Sequence, residues 1–343
     1  MGGLKLGVVL NGRRSANEVA ELARLSEQQG FSHLWLSGGS RTKDHFLRLA
    51  LAASKTRRIQ IGPIAISPFE MHPVRIGLSL LTLDEMAEGR ASIVLGGGGD
   101  LAATLNVPLK NRVQSVGETV DLIRLLGRGG EVNYRGRIFQ TKRLFSPWQG
   151  ASVPPLYIGA NRPRMLQMAA EKSDGVMVTD MPLSFVRSLV DLIRRGLQNA
   201  RRDAGKFRIS NWFVWNLQDT EEEALRFARR TLGFRLYYIR DVAGSIGLTA
   251  DQALELRRKQ PDMLRAIFEG RDPYVPPRDI TKSLIDHLTI TGSQRCLGEA
   301  VEKLHEFEKQ GLNEMALAVE GNPVSAIKLL GEKVLPHIQQ KEI

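Results

Sequence analysis

The feature that most constrains this chain is an alternation, sustained from its first residues, of short apolar runs with longer amphipathic segments. Leu4–Leu10 reads as a buried strand. Val19, Leu22, Ala23 and Ser26 then follow helical spacing up to Gly30, and Phe31–Leu36 reads as the next strand. The unit recurs: residues 59–66 precede a helix opened by Pro73, and residues 91–95 precede helices before and after Arg112. Residues 156–160 precede a helix opened by Pro163, and residues 176–179 precede a helix over 184–204. With further runs at 208–216 and 314–319 the strand candidates number eight, which predicts a (β/α)8 TIM barrel, an α/β fold, as one domain over 1–343. A doubly wound sheet uses the same units but wants Gly-x-Gly-x-x-Gly after its first strand, and Asn11-Gly12-Arg13-Arg14-Ser15 stands there instead. Gly30, Gly175 and Gly311 sit where a helix would end on a left-handed residue before the next strand. Two insertions interrupt the pattern. One, at about 128–150, carries strand-like pieces at Val132–Tyr134 and Arg137–Phe139; the other, at about 235–290, is helical and punctuated by Pro261, Pro273, Pro276 and Pro277.

Composition narrows the function class. Cys296 is the sole cysteine of 343 residues, so no disulfide forms within the chain. No stretch approaches the ~18–20 apolar residues that span a bilayer, and the expected location is the cytoplasm, away from membranes. The net charge of +11 favours anionic ligands. Its arginines are scattered along helices with few aromatics between them, which reads as solvated helix faces and not as a specific nucleic-acid surface.

In a barrel the chemistry lies at the carboxyl ends of the strands. Those ends read Asn11, Ser37, Ser67, Gly96-Gly97-Gly98-Gly99-Asp100, Gly159-Ala160-Asn161, Thr179-Asp180, Asn216 and Glu320. The rim is poor in nucleophiles, and neither a zinc motif nor a Gly-x-Ser-x-Gly elbow occurs, so no metal site is expected and a cofactor must do the reacting. Four glycines leave backbone bare for a flat or phosphorylated ligand. Asp100 has two readings, an N-cap for Leu101–Leu105 or an acidic group facing that ligand. Arg162 and Arg164 flank a helix start suited to an anion. His33, at the start of a strand, belongs to the barrel bottom; His72 precedes Pro73 in a turn, and Asp44 caps the helix that carries His45.

Taken together, four stretches resemble the bacterial luciferase-like flavin and deazaflavin oxidoreductases. They are Ile61-Gly62-Pro63-Ile64-Ala65-Ile66-Ser67-Pro68 with His72-Pro73, Thr82-Leu83-Asp84-Glu85-Met86 leading to Gly96–Asp100, Pro154–Ala160 leading to Asp174-Gly175-Val176, and Thr291-Gly292-Ser293 leading to Gly311-Leu312. Arg41-Thr42-Lys43-Asp44-His45, Gly62-Pro63 and Gly98–Ala102 resemble in particular the methylenetetrahydromethanopterin reductases. The resemblance implies hydride transfer through the deazaflavin coenzyme F420, with FMN and luciferase-type monooxygenation as the alternative, and a ligand-binding barrel without catalysis as the non-enzyme reading. It implies a cis peptide between Ile64 and Ala65 beside the cofactor and Asp100 as the catalytic group; with the strand ends read above, the expected cofactor-binding residues are Ile64, Ala65, Ser67, Gly97, Gly98, Gly99, Gly159, Ala160, Asn161 and Arg162. A homodimer or homotetramer is the expected assembly. Many deazaflavin-using members carry Asp-His directly after the second strand, where this chain has Ser37-Gly38-Gly39. Alcohol oxidation wants a base there, so the expected reaction is reduction of an iminium or activated double bond in a pterin-like or other small molecule.

Overall fold

Strands joined by right-handed helical crossovers run parallel, and eight of them bury both faces by closing into a ring. The computed structural model describes residues 3–148, 150 and 152–339. Residue 149 of the first insertion and the two ends of the 1–343 span lie outside the described residues. In chain order the strands are β1 (Lys5–Leu10), β2 (His33–Ser37), β3 (Gln60–Ile64), β4 (Ile93–Leu95), β5 (Gly130–Arg135), β6 (Gln140–Ser146), β7 (Leu156–Gly159), β8 (Gly175–Thr179), β9 (Arg208–Gln218), β10 (Thr289–Ser293) and β11 (Glu314–Val319). The main sheet runs β3-β2-β1-β11-β9-β8-β7-β4. Parallel bridges Ile61–Ala91 and Ile66–Leu95 join its two ends, so the ring closes as a (β/α)8 barrel built from the eight predicted strands.

Alternate residues fill the lumen. Val9, Trp35, Ile64, Val94, Tyr157, Met177 and Ala316 form one apolar cluster there, with Trp212 and Ala318 packed on it. Beneath them His33 stacks on Trp35 at 5.0 Å between ring centres, and Trp35 Nε1 donates to Glu314 Oε1 at 3.2 Å. Arg208 Nη1 lies 3.3 Å from Glu314 Oε2. Burial pushes the Glu314 carboxyl up and the His33 imidazole well down, so His33 is a neutral structural group at the barrel bottom.

Three local expectations are corrected. Gly30 and Gly311 are left-handed, with φ of 86° and 103°, but Gly175 is the first residue of β8. A glycine is required there by close approach, because a Cβ would sit 2.5 Å from the Arg208 carbonyl and 2.7 Å from Tyr157 Cδ1. Residues 137–139 are the turn of the β5–β6 hairpin and not a strand. The Glu118 carboxylate accepts from the N–H groups of Arg137 (2.8 Å), Ile138 (3.0 Å) and Phe139 (2.9 Å), which takes those donors out of any ladder. The third is an addition: β10 pairs parallel with Val214–Gln218 of β9. Val214 also pairs with Ala318 of β11, so β10 lies on the opposite edge of β9, above the point where β8 leaves it.

Between β9 and β10 the chain forms helices Glu221–Arg235, Ala250–Phe268 and Arg278–Leu288. This segment reaches across to the β1 and β2 loops. Arg41 Nη1 donates to the Phe268 carbonyl at 3.1 Å, and the Arg41 and Arg13 guanidinium carbons lie 4.7 and 5.5 Å from the centre of the Phe268 ring. No helix among the described residues is long and apolar enough to cross a membrane. Gly175→Ala is expected to cost about 1–3 kcal/mol of stability, as overpacking does. Chemical denaturation checks it, and an unchanged midpoint would contradict the close-approach account.

Candidate active site

The carboxyl ends of β3, β4 and β7 form a wall of small residues. The Ile64–Ala65 peptide is cis. A Cβ on Gly96 would lie 3.0 Å from Ala65 Cβ, and one on Gly159 would lie 3.4 Å from Val94 Cγ1 and 4.0 Å from Ala65 Cβ. Ala65, Gly96 and Gly159 therefore converge, and the strip they make can take the face of a planar ring. Ser67 is buried, and its Oγ accepts from Phe69 N at 3.2 Å, so it fixes the loop behind Ala65. Gly97 faces Met165 and Arg112, where a Cβ would meet Met165 Cε at 3.3 Å and Arg112 Cβ at 3.4 Å. Gly98 needs its left-handed φ of 89°.

Asp100 is not an N-cap. Gly99 occupies that position without a side-chain bond, and Asp100 opens the short helix Asp100–Thr104. Its carboxylate turns to the β2 loop instead, where Oδ2 accepts from Ser40 N at 3.1 Å and Ser40 Oγ at 2.9 Å. Gly39 admits this approach, since a Cβ there would lie 3.1 Å from both carboxylate oxygens. Glu70 stands beside it: burial and the Asp100 charge raise its carboxyl, against the lowering effect of the Gly99, Ala102 and Ser67 N–H groups. Those bonds put a second carboxylate at this loop, so an anion meets a less favourable field at Gly96–Gly99 than the glycines alone provide.

The β2 loop is braced by one guanidinium. Arg48 is 3% exposed and donates to the carbonyls of Gly12 (2.7 Å), Asp44 (2.8 Å) and Arg14 (3.2 Å). Asp44 caps its helix through Leu47 N at 2.9 Å, which brings the His45 ring onto Gly38, where a Cβ would lie 2.5 Å from Nε2. Burial lowers the His45 pKa. His72 is a helix cap, its Nδ1 accepting from Val74 N at 3.2 Å.

After β7, Ala160 N donates to the Met177 carbonyl at 3.1 Å. Asn161 is buried and grips the end of β8, donating to the Thr179 carbonyl and accepting from Thr179 N, both at 2.9 Å. Its role is to position the loop. Arg162 precedes the helix Pro163–Lys172 without capping it, and its exposed side chain lies 3.3 Å from Asp241 Oδ2 on the covering segment.

Across the lumen, the ends of β8, β9 and β11 carry bulk and charge. Asp180 has a left-handed φ of 54°, is 5% exposed and pairs with Arg235. Burial pushes the Asp180 carboxyl up to about 6 although Arg235 pulls it down, and Glu320 is raised by burial with Arg235 again opposing. Tyr237, from the turn Leu236–Tyr238, has its hydroxyl pKa raised by burial and by Asp100. Sequence reasoning placed Asp180 and Glu320 on the rim but missed Ser40, Glu70 and Arg235. Ser40 and Glu70 act through loop geometry, and Arg235 lies in a helix rich in solvated arginines.

The sequence matches the luciferase-like monooxygenase family over residues 4–314. A 5,10-methylenetetrahydromethanopterin reductase of Archaeoglobus fulgidus is 25% identical, over 98% of this chain and 100% of its own. The solved coenzyme F420-dependent tetrahydromethanopterin reductase of Methanopyrus kandleri superposes with a TM-score of 0.84 at 23% identity, covering 98% of this chain and 100% of its own. An F420-dependent secondary alcohol dehydrogenase superposes with a TM-score of 0.80 at 17% identity, covering 98% and 99%.

Asp180 sets a pH dependence. Its carboxyl goes from an ordinary 3.8 to about 6 on folding, so its contribution to stability is present below about pH 4 and is lost as pH rises through 6. Asp180→Asn is expected to flatten this descending part of the curve, which thermal melts at successive pH values check; an unchanged slope would contradict the buried position.

Proposed function

The chain belongs to the luciferase-like monooxygenase family, and from that premise we propose that it is an F420-dependent oxidoreductase that reduces an iminium or activated double bond in a pterin-like or other small molecule. The observation that carries this reading is the bare wall of Ala65, Gly96 and Gly159 beside the carboxylate of Asp100. A Cβ at Gly96 or Gly159 would project into the cradle, so the wall fits the flat face of a deazaflavin, with the Gly159–Arg162 loop and its helix start toward the anionic tail. The bound deazaflavin supplies hydride chemistry.

The protein's own residues do the rest. Asp100 and Ser40 form a carboxylate–hydroxyl pair with Oγ and Oδ2 at 2.9 Å, through which one proton can reach the reacting centre. The helices between β9 and β10 reach over to the β1 and β2 loops, where Arg41 and Arg13 meet Phe268, and they form one side of the mouth. Directly after β2 the chain offers only glycine backbone, with the His45 ring packed against it. Reduction of an electrophile needs chiefly positioning and one proton, which these groups provide. Removing a hydroxyl proton as hydride leaves needs a base on the substrate, which Gly38 and Gly39 do not supply.

Two measurements test the reading. Reduced F420 is expected to be consumed with a methylenetetrahydropterin and not regenerated with isopropanol or glucose 6-phosphate; robust alcohol oxidation would defeat the assignment. Asp100→Asn is expected to leave F420 affinity within about twofold and to lower turnover by about 10²–10⁴, the range of general acid–base catalysis. Equal loss of binding and turnover would reduce Asp100 to a loop brace.

A further inference from the structure

The wall opposite the glycine cradle contains two buried donors that have no partner among the described residues. Trp212 lies in one sheet layer with Thr179 and Ala316 and packs on the lumen cluster, yet it is only half-buried because it faces the open end of the barrel. Its indole Nε1 is shut off from solvent and has no partner among the described residues. Trp35, in the same lumen cluster, has its N–H bonded to Glu314. Arg235 has a side chain only 10% exposed; one of its terminal nitrogens pairs with Asp180, while its Nε is buried without an acceptor. The two residues meet through Asp180, whose N–H donates to the Trp212 carbonyl at 2.9 Å and whose carboxylate holds Arg235. Trp215 also has an unpartnered N–H, but that residue sits in the outer core among apolar side chains.

A buried donor left without an acceptor is costly, and two such donors on residues linked through Asp180 at a barrel mouth ask for a ligand oxygen. The Arg235 charge is already faced by Asp180 and Glu320, so a formal anion gains little there and a neutral carbonyl fits better. We propose that Trp212 Nε1 and Arg235 Nε bind a ring carbonyl of a flat, neutral heteroaromatic substrate, which leans on the Trp212 face across the lumen from the cofactor wall. The proposal rests on the pterin-like substrate class of the reading above and assigns its recognition to residues of β9 and the covering helix. Asp180 is the positioning residue that holds Arg235 in place.

The test compares pterin, which carries an acceptor oxygen at C4, with 2,4-diaminopteridine, which carries a donor there, by calorimetry on the full chain. Trp212→Phe removes the N–H and keeps an aromatic face. Arg235→Lys keeps the charge opposite Asp180 and removes the Nε donor. Each variant is expected to weaken pterin binding at least about tenfold, the scale of one hydrogen bond to a charged or buried donor, and to leave 2,4-diaminopteridine within about twofold. Unchanged pterin affinity, equal weakening of both compounds, or a wild-type protein that binds neither would overturn the proposal. F420 titrated in parallel separates the two failures: loss of selectivity with intact F420 binding removes the carbonyl site alone, and absence of F420 binding removes the deazaflavin reading whatever the pteridines do.

Discussion

A ring of eight parallel strands closes only where its last seam has room for two backbones to meet. Here that seam lies between β3 and β4, and Gly62 makes it possible: a Cβ there would fall 2.4 Å from the Ser92 carbonyl and 2.8 Å from the Trp35 ring. The bulk that Gly62 forgoes is supplied by its neighbours, with Trp35 and Tyr157 in edge-to-face contact at 5.9 Å and His33, Arg208 and Glu314 below them. The lumen is thus packed solid at the bottom. Above that seam Ala65 and Gly96, with Gly159 at the neighbouring end of β7, again place small residues where backbones approach.

The loops above the strands are held by single polar side chains rather than by ladders. Arg48 satisfies carbonyls of the β1 and β2 loops, Asn161 brackets the end of β8, and Asp100 ties the β4 loop to Ser40. Each meets the demand that buried backbone groups find partners. Part of the positive charge is spent on fastening the cover: Arg41 and Arg13 clasp Phe268, Arg162 faces Asp241 and Arg235 pairs with Asp180. A mouth with a planar wall on one side and hydrogen-bond donors on the other is suited to hydride transfer between two stacked partners, where distance matters more than side-chain reactivity.

The barrel was legible because each of its strands is an apolar run bounded by glycine, proline or a helical period, signals that survive without tertiary context. β10 was not, since Thr289-Ile290-Thr291-Gly292-Ser293 reads as a loop until the upper edge of β9 is seen to need a partner. Gly175 shows the complementary failure. The same glycine after a helix serves either a left-handed turn or a close approach, and only the neighbouring Arg208 carbonyl decides between them. In the site, the glycine-rich strand ends could be read directly, because bare backbone has few other uses there. The partners of Asp100 and the pairing of Arg235 with Asp180 could not, because they depend on contacts between residues 60 and 55 positions apart.

As proposed above, the bare wall of this barrel holds a deazaflavin. Equilibrium fluorescence titration of the purified protein with F420 and with FMN tests it most directly. The account expects a colourless protein that saturates with F420 at one equivalent per chain and binds FMN much more weakly. A yellow protein that retains FMN through purification and fails to bind F420 would contradict it.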